Sequence, residues 1–266
     1  MMTLSRAIRG VLAPIRLVLP QNWPAAIPAA IGRVLPRNWV GRIRFYWHGH
    51  EVWSGPFNGQ TGRVNIFKAI LDECHPIAIV ETGTHLGSTT YFLAQSTTKP
   101  VYTVECDAES YGFASERLRG CKNAFLEQGD SRSFLSKCVR KPNLQNGPVL
   151  FYLDAHWNED LPLAEEIEIV FSALSESIVM VDDFQVPNEI GYGYDDYGAG
   201  KALTSEYIAL SCQKFNLVRF FPAISAHEET GAKRGCVVLA GSRKTVSKLE
   251  RIKFLRCSIR PDLREA

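Results

Sequence analysis

Two short acidic phrases in the chain each follow an apolar run. Leu153-Asp-Ala-His-Trp157 carries Asp154 and His156, and Val181-Asp-Asp-Phe184 carries Asp182 and Asp183. If the two runs lie side by side, three carboxylates converge, and they repel one another unless a cation neutralises them. Oxygen ligands without a thiolate favour a hard ion, Mg²⁺ before Mn²⁺ or Ca²⁺. Such an ion polarises a bound hydroxyl and lowers its pKa. His156 stands two residues past Asp154, and an imidazole with an ordinary pKa of about 6.5 suits a general base at neutral pH. The plainer reading of His156 is a loop residue capping the helix that follows. Trp157 reads as packing for the loop or a wall of the cleft.

A second group of residues has the types and spacing for a nucleoside-like ligand. The phrase Glu81-Thr-Gly-Thr-His-Leu-Gly-Ser-Thr89 follows the apolar run Ile77–Val80. Gly83 and Gly87 allow a sharp turn and a close backbone approach, with Thr84 between them. The helix after the turn offers free N–H groups and a positive dipole end to a carboxylate or phosphate. Glu105 lies 22 residues beyond Gly83 at the end of the next apolar run. A carboxylate there can accept from both hydroxyls of a ribose. Asp130 and Ser131, in Gln128-Gly-Asp-Ser131, close the set. The nicotinamide-dinucleotide fingerprint does not fit, because His85 and Leu86 stand where it needs a different glycine spacing.

These residues need a scaffold that gathers them. Strands are expected at 77–80, 101–104, 124–127, 149–153 and 177–181. Helices are expected at 62–74, 88–96, 108–119, 132–139 and 161–174. This alternation predicts a doubly wound α/β fold, a mostly parallel seven-stranded sheet with helices on both faces. In such sheets ligands bind at the carboxyl ends of the strands. A helix near 202–212 and strands near 216–221 and 235–240 complete the pattern. The stretch 185–200 holds Pro187, four glycines and three tyrosines, and reads as a loop over the site, a substrate lid. Its Asp195 and Asp196 are set aside as ligands because the loop is glycine-rich. The phrase Gly55–Gln60, with Arg63, either closes over the cofactor or caps the first helix.

The form Glu81-x-Gly-x-x-x-Gly with a later acid resembles the first motif of class I S-adenosylmethionine-dependent methyltransferases. That resemblance implies a Rossmann-like methyltransferase fold, with Glu81, Gly83 and Gly87 (Thr84 among them) at the methionine part. Glu105 would hold the ribose, and Asp130 with Ser131 would lie beside the adenine. The acidic phrases extend the likeness to the metal-dependent O-methyltransferases of macrolide and aminocoumarin sugars, over about residues 57–240. On it, Asp154, Asp182 and Asp183 are the Mg²⁺ ligands and His156 is the base. The catechol enzymes, more distantly similar, use a lysine shortly after the first Asp, and this chain has none before Lys201. The expected activity is methyl transfer to a hydroxyl of a sugar, glycan or small natural product. Two other readings stand beside it, a metal-dependent glycosyltransferase and a non-catalytic adaptor at a membrane.

Charge is unevenly distributed along the 266 residues. The first 50 carry seven arginines and no acid, residues 242–266 are net +5, and the body between them is net −10. The expected organisation is a basic extension at 1–56, a catalytic domain at 57–241 and a basic tail at 242–266. The basic ends suggest peripheral contact with an anionic membrane face, or a solvated extension; no specific nucleic-acid partner is expected. The phrase Leu-Pro-x-Asn-Trp occurs at 19–23 and again at 35–39. It fits a membrane interface, or packing on the domain or on a second subunit of a homo-oligomer. Seven scattered cysteines without a Cys-x-x-Cys pair argue for a reducing, cytoplasmic setting. No apolar run approaches the ~20 residues of a membrane span.

Overall fold

The computed structural model describes residues 35–48, 55–156 and 160–258. Eight strands form one sheet in the order β3-β2-β1-β4-β5-β7-β6-β8. They are β1 (Ala78–Thr82), β2 (Val101–Glu105), β3 (Ala124–Gln128), β4 (Val149–Leu153), β5 (Ile178–Val181), β6 (Val218–Pro222), β7 (Val237–Ala240) and β8 (Leu255–Cys257). The first five run parallel, while β7 is antiparallel to both β5 and β6, and β8 is antiparallel to β6. The strand order reverses between β1 and β4, the switch point where such sheets open a crevice.

The helices are α1 (Arg37–His48), α2 (Thr61–Cys74), α3 (Ser88–Ser96), α4 (Ala108–Arg117), α5 (Ser131–Cys138), α6 (Leu163–Ala173), α7 (Ala209–Lys214) and α8 (Arg243–Leu249). Every residue of β1, β4 and β5 is buried, as a strand covered on both faces requires. Alternate side chains feed two cores. Val80, Phe151 and Val181 pack with Leu163, Ile167 and Val170 of α6. Ile79, Leu150 and Met180 pack with Ile66, Phe67 and Ile70 of α2. Full burial of such a side chain contributes about 1.5–3 kcal/mol, so two layers of them fix the strand register. Asp107 caps α4 by accepting from the Ser110 amide, and Asp130 caps α5 by accepting from Ser133. Both caps place an acid just past a strand end.

The doubly wound architecture is the predicted one, with an eighth strand added among the described residues. That strand and α8 come from 242–258, so much of the expected basic tail is part of the sheet edge. Its bases pair inward: Arg251 with Glu73 and Lys244 with Glu176. The expected N-terminal extension likewise contributes α1, which lies across α4. Gly41 and Gly112 make that crossing possible. A Cβ on Gly41 would come within 1.8 Å of the Glu109 carbonyl oxygen, and one on Gly112 within 1.9 Å of that of Asn38. Arg37 and Arg44 reach Glu109, and Arg42 reaches Glu116. The second Leu-Pro-x-Asn-Trp phrase therefore enters a packed helix; the first, with Arg6, Arg9, Arg16 and Arg33, lies outside the described residues. The helix expected at 202–212 is shorter, and only Ala209–Lys214 is α-helical. Among the described residues, no helix is long and apolar enough to cross a membrane.

Candidate functional site

The glycine turn sits at the switch point. Gly83 has φ +82°, and a Cβ there would come within 2.1 Å of the Asp154 carbonyl oxygen across the β1–β4 pair. Glycine is required on both counts, backbone conformation and contact. Gly87, with φ +77°, is the N-cap residue of α3. His85 also adopts a left-handed conformation, φ +48°. Its amide donates to Glu105 Oε2 at 2.6 Å, and the Asp107 amide donates to Oε1 at 2.8 Å. Glu105 is thus held rigid at the mouth of the turn; the Cys106 thiol also donates to Oε1 at 3.7 Å, while Oε2 retains a lone pair.

Glu81 is fully buried. It accepts from Thr103 Oγ1 at 2.6 Å and from Thr90, while its Oε1 has no partner. Burial pushes its carboxyl up to about 7. The Thr84 hydroxyl turns inward to Thr103 Oγ1 (2.5 Å), so only the Thr84 backbone faces the turn's ligand side. Asp130 is engaged by the Ser133 amide and by Arg132, which continues to Asp160. Ser131 is buried beside Glu166 and Thr82 at the base of the same crevice, and burial raises the Glu166 carboxyl to about 7.

The acidic phrases meet as β4 and β5 pair, and their side chains separate into two roles. Oxygen or nitrogen atoms of Asp154, His156 and Asp183 lie within 4.8 Å of one another. His156 is buried, and its Nε2 has no hydrogen-bond partner while lying 3.8 Å from Asp154 Oδ1. Burial lowers the imidazole pKa, which keeps the ring neutral. Burial and the nearby Asp183 hold the Asp154 carboxyl well above the usual carboxylate range. Together these give an acidic cluster with a neutral imidazole among its carboxylates.

The structure does not bring Asp182 into that cluster. Its carboxylate is paired with the buried Arg63 guanidinium and also accepts from the Tyr152 hydroxyl and, at 2.7 Å, from the Asp183 amide. With all of its partners supplied by the protein, it supports the cluster from beneath. The reason is local: Asp183 leaves β5 in a left-handed conformation, φ +50°, so the backbone bends between the two acids and their side chains part.

Asp195, set aside in the sequence reading, takes a place at the cluster. Its Oδ2 lies 3.6 Å from His156 Nε2 and accepts from Tyr197 Oη at 2.5 Å. The loop that carries it is fastened: the Asp195 amide donates to the Asp183 carbonyl (2.9 Å), and the Leu203 amide to that of Asp195 (2.9 Å). Tyr192 is buried and donates to the Ile224 carbonyl, so it belongs to the core rather than to a lid face. Arg234 is the other residue the motifs do not announce. Its Nε donates to Asp183 Oδ1 at 2.8 Å and its Nη2 to Asp195 Oδ1. The available signal was a basic pair, Lys233-Arg234, set between Ala232 and Gly235 just before an apolar strand. The Gly55–Gln60 phrase does not cap α2 with a side chain; its Phe57 amide donates to Thr89 Oγ1 at 3.3 Å beside the glycine turn, and the phrase fastens the 228–235 segment. Gln60 pairs with both backbone groups of Arg234, and Glu229 accepts from the Gly62 amide at 2.9 Å.

No family model matches the sequence, and no curated protein matches it. Solved structures of similar fold include the O-methyltransferase from Bacillus cereus in complex with SAH, at 13% identity and a TM-score of 0.49, covering 82% of this chain and 97% of that one. The O-methyltransferase TomG from Streptomyces achromogenes, in complex with SAM, aligns at 12% identity and a TM-score of 0.49, covering 84% and 99%. Precorrin-6y C5,15-methyltransferase from Geobacter metallireducens aligns at 11% identity and a TM-score of 0.43, covering 67% and 84%. At such identities the likeness is one of strand and helix arrangement.

Proposed function

We propose that this chain transfers a methyl group from S-adenosylmethionine to a hydroxyl oxygen of a small-molecule or glycan acceptor, assisted by Mg²⁺. The observation that carries this reading is the contact between Gly83 and the Asp154 backbone. It makes a ligand on the glycine turn and a hydroxyl at the acidic cluster immediate neighbours, the arrangement that methyl transfer between two bound molecules requires.

The residues fit both groups. Glu105 presents oriented oxygens to ribose hydroxyls, Glu81 and the Gly83–Gly87 turn stand at the methionine end, and Asp130 with Ser131 at the adenine end. Asp154 and Asp183 are the carboxylates for the ion, since Mg²⁺ is commonly held by one or two carboxylates and keeps several waters. The cofactor supplies a methyl group on a sulfonium, already a good leaving group. The ion supplies Lewis acidity to the acceptor hydroxyl. His156, neutral and unpartnered at Nε2, accepts the hydroxyl proton. Asp195 at 3.6 Å stabilises the imidazolium so formed. Burial of the cluster strengthens each of these interactions relative to water.

The acceptor preference rests on the loop around Asp195, where Tyr194 and Tyr197 offer ring faces and hydroxyls suited to a sugar or aromatic alcohol. The test is a screen of S-adenosylhomocysteine release across sugar, phenol and carboxylic-acid acceptors, with Mg²⁺ and with excess EDTA. Acceptor-dependent release with a hydroxyl compound, lost in EDTA, is expected. Equal release in EDTA would remove the ion from the reaction.

A further inference from the structure

Arg234 reaches the acidic cluster with its backbone already fixed. Gln60 Oε1 takes its N–H at 2.8 Å, Gln60 Nε2 donates to its carbonyl at 2.7 Å, and Arg63 donates to the same carbonyl. The next residue, Gly235, is held by Arg63 Nη2 at 2.8 Å and bonds Gly193 of the Asp195 loop at 2.8 Å. Gly193 leaves the guanidinium its room: a Cβ there would come within 3.1 Å of Arg234 Nη1. From this mount the guanidinium spans Asp183 and Asp195, the two carboxylates that approach from β5 and from the loop.

The charges of the site then divide cleanly. Asp182 is balanced by Arg63, Asp183 and Asp195 share Arg234, and among the described residues Asp154 has only the neutral His156, and no Lys or Arg, within an ion-pair distance. A guanidinium stays charged at every working pH and presents donors in a fixed fork, so it cannot leave the pair by deprotonation. A divalent ion that binds Asp183 must therefore share that carboxylate with a positive charge a few ångströms away, and the two cations repel.

We propose that Arg234 is a positioning residue, a tethered counter-cation that shares Asp183 and Asp195 with the divalent ion and thereby weakens the hold of the Asp154–Asp183 site on it. The proposal rests on the divalent-ion reading given above. Its consequence is that Asp195 stays beside His156 instead of turning to become a further ligand. The ion is then bound loosely enough to exchange, and the imidazole keeps the carboxylate that steadies its protonated form.

The test is a Mn²⁺ titration of the full chain, with free Mn²⁺ read by electron paramagnetic resonance, for the wild type, Arg234→Met and Arg234→Lys. Removing the charge should tighten Mn²⁺ binding about tenfold or more, while Arg234→Lys, which keeps it, should stay within about threefold of wild type. Equal or weaker binding by Arg234→Met overturns the proposal, and so does an absence of Mn²⁺ binding in every protein. Thermal melting reports whether each variant folds; if the methionine variant does not, Arg234→Gln carries the same expectation. S-adenosylhomocysteine affinity, measured by calorimetry on the same samples, keeps the two readings apart. Its absence would remove the methyl-transfer reading and leave the Mn²⁺ comparison standing.

Discussion

Arg63 and Asp182 form an ion pair in which each side chain is only 1% exposed. That pair separates the two acids of the Val181-Asp-Asp-Phe184 phrase, one as structure and one as chemistry. Removing a single partner from a buried pair strands the other charge and costs about 3–5 kcal/mol. Asp182→Asn should therefore lower stability in urea unfolding by that order, while the folded fraction keeps its Mn²⁺ affinity within a few-fold. Unchanged stability with lost Mn²⁺ binding would make Asp182 a ligand after all.

Asp154 and His156 should separate in the same way. Asp154→Asn is expected to weaken Mn²⁺ binding more than tenfold, because a carboxamide carries no charge to offset the ion. His156→Ala should leave Mn²⁺ affinity within a few-fold and lower turnover by roughly 10²–10⁴. Burial lowers the His156 pKa, so the acid limb of the wild-type rate profile should fall below pH ~6.5. That limb should vanish in His156→Ala; an unchanged profile would reject the base role.

Glu81 and Glu166 give the fold a pH dependence of definite sign. Burial raises both carboxyls from about 4.5 to about 7. Each is then more readily protonated in the folded chain than in the unfolded one. Stability is greatest below the unfolded value and is lost as pH rises from about 4.5 through about 7. Each group contributes on the order of 3 kcal/mol to that loss. Melting temperature should fall between pH 5 and pH 8, and Glu166→Gln should flatten the slope. A rise over that range would contradict the burial account.

The crossing of α1 over α4 should be sensitive to a single carbon. A Cβ at Gly112 would meet the Asn38 carbonyl, so Gly112→Ala forces the helices apart and breaks the neighbouring Arg37–Glu109 and Arg42–Glu116 pairs. The melting temperature should drop by several degrees. Tryptophan fluorescence should shift to the red as Trp39 loses its packing. A variant that melts and fluoresces like wild type would show α1 to be loosely attached.

Much of this arrangement was legible in the sequence because it depends on local pattern. The buried runs of β1, β4 and β5, the helices between them and the positive-φ need of Gly83 all follow from neighbouring residues. So does the meeting of Asp154 with Asp183, once two parallel strands adjoin. What the sequence hid depends on side chains from distant segments. The Asp182–Arg63 pair links residues 119 apart in the chain, and Arg234 meets Gln60 across 174. No spacing rule announces such partners. Nor does the Gly-Tyr loop reveal that backbone bonds to Asp183 and Leu203 would hold Asp195 in place. The helix α1 was missed because its basic, tryptophan-bearing face becomes intelligible only beside the acids of α4.

Calorimetric titration of S-adenosylhomocysteine into the wild-type chain and into Glu105→Ala tests the central claim most directly. Saturable one-site binding to the wild type, weakened about tenfold or more by Glu105→Ala, is the expected result. No binding to the wild type, or equal binding to both proteins, would contradict it.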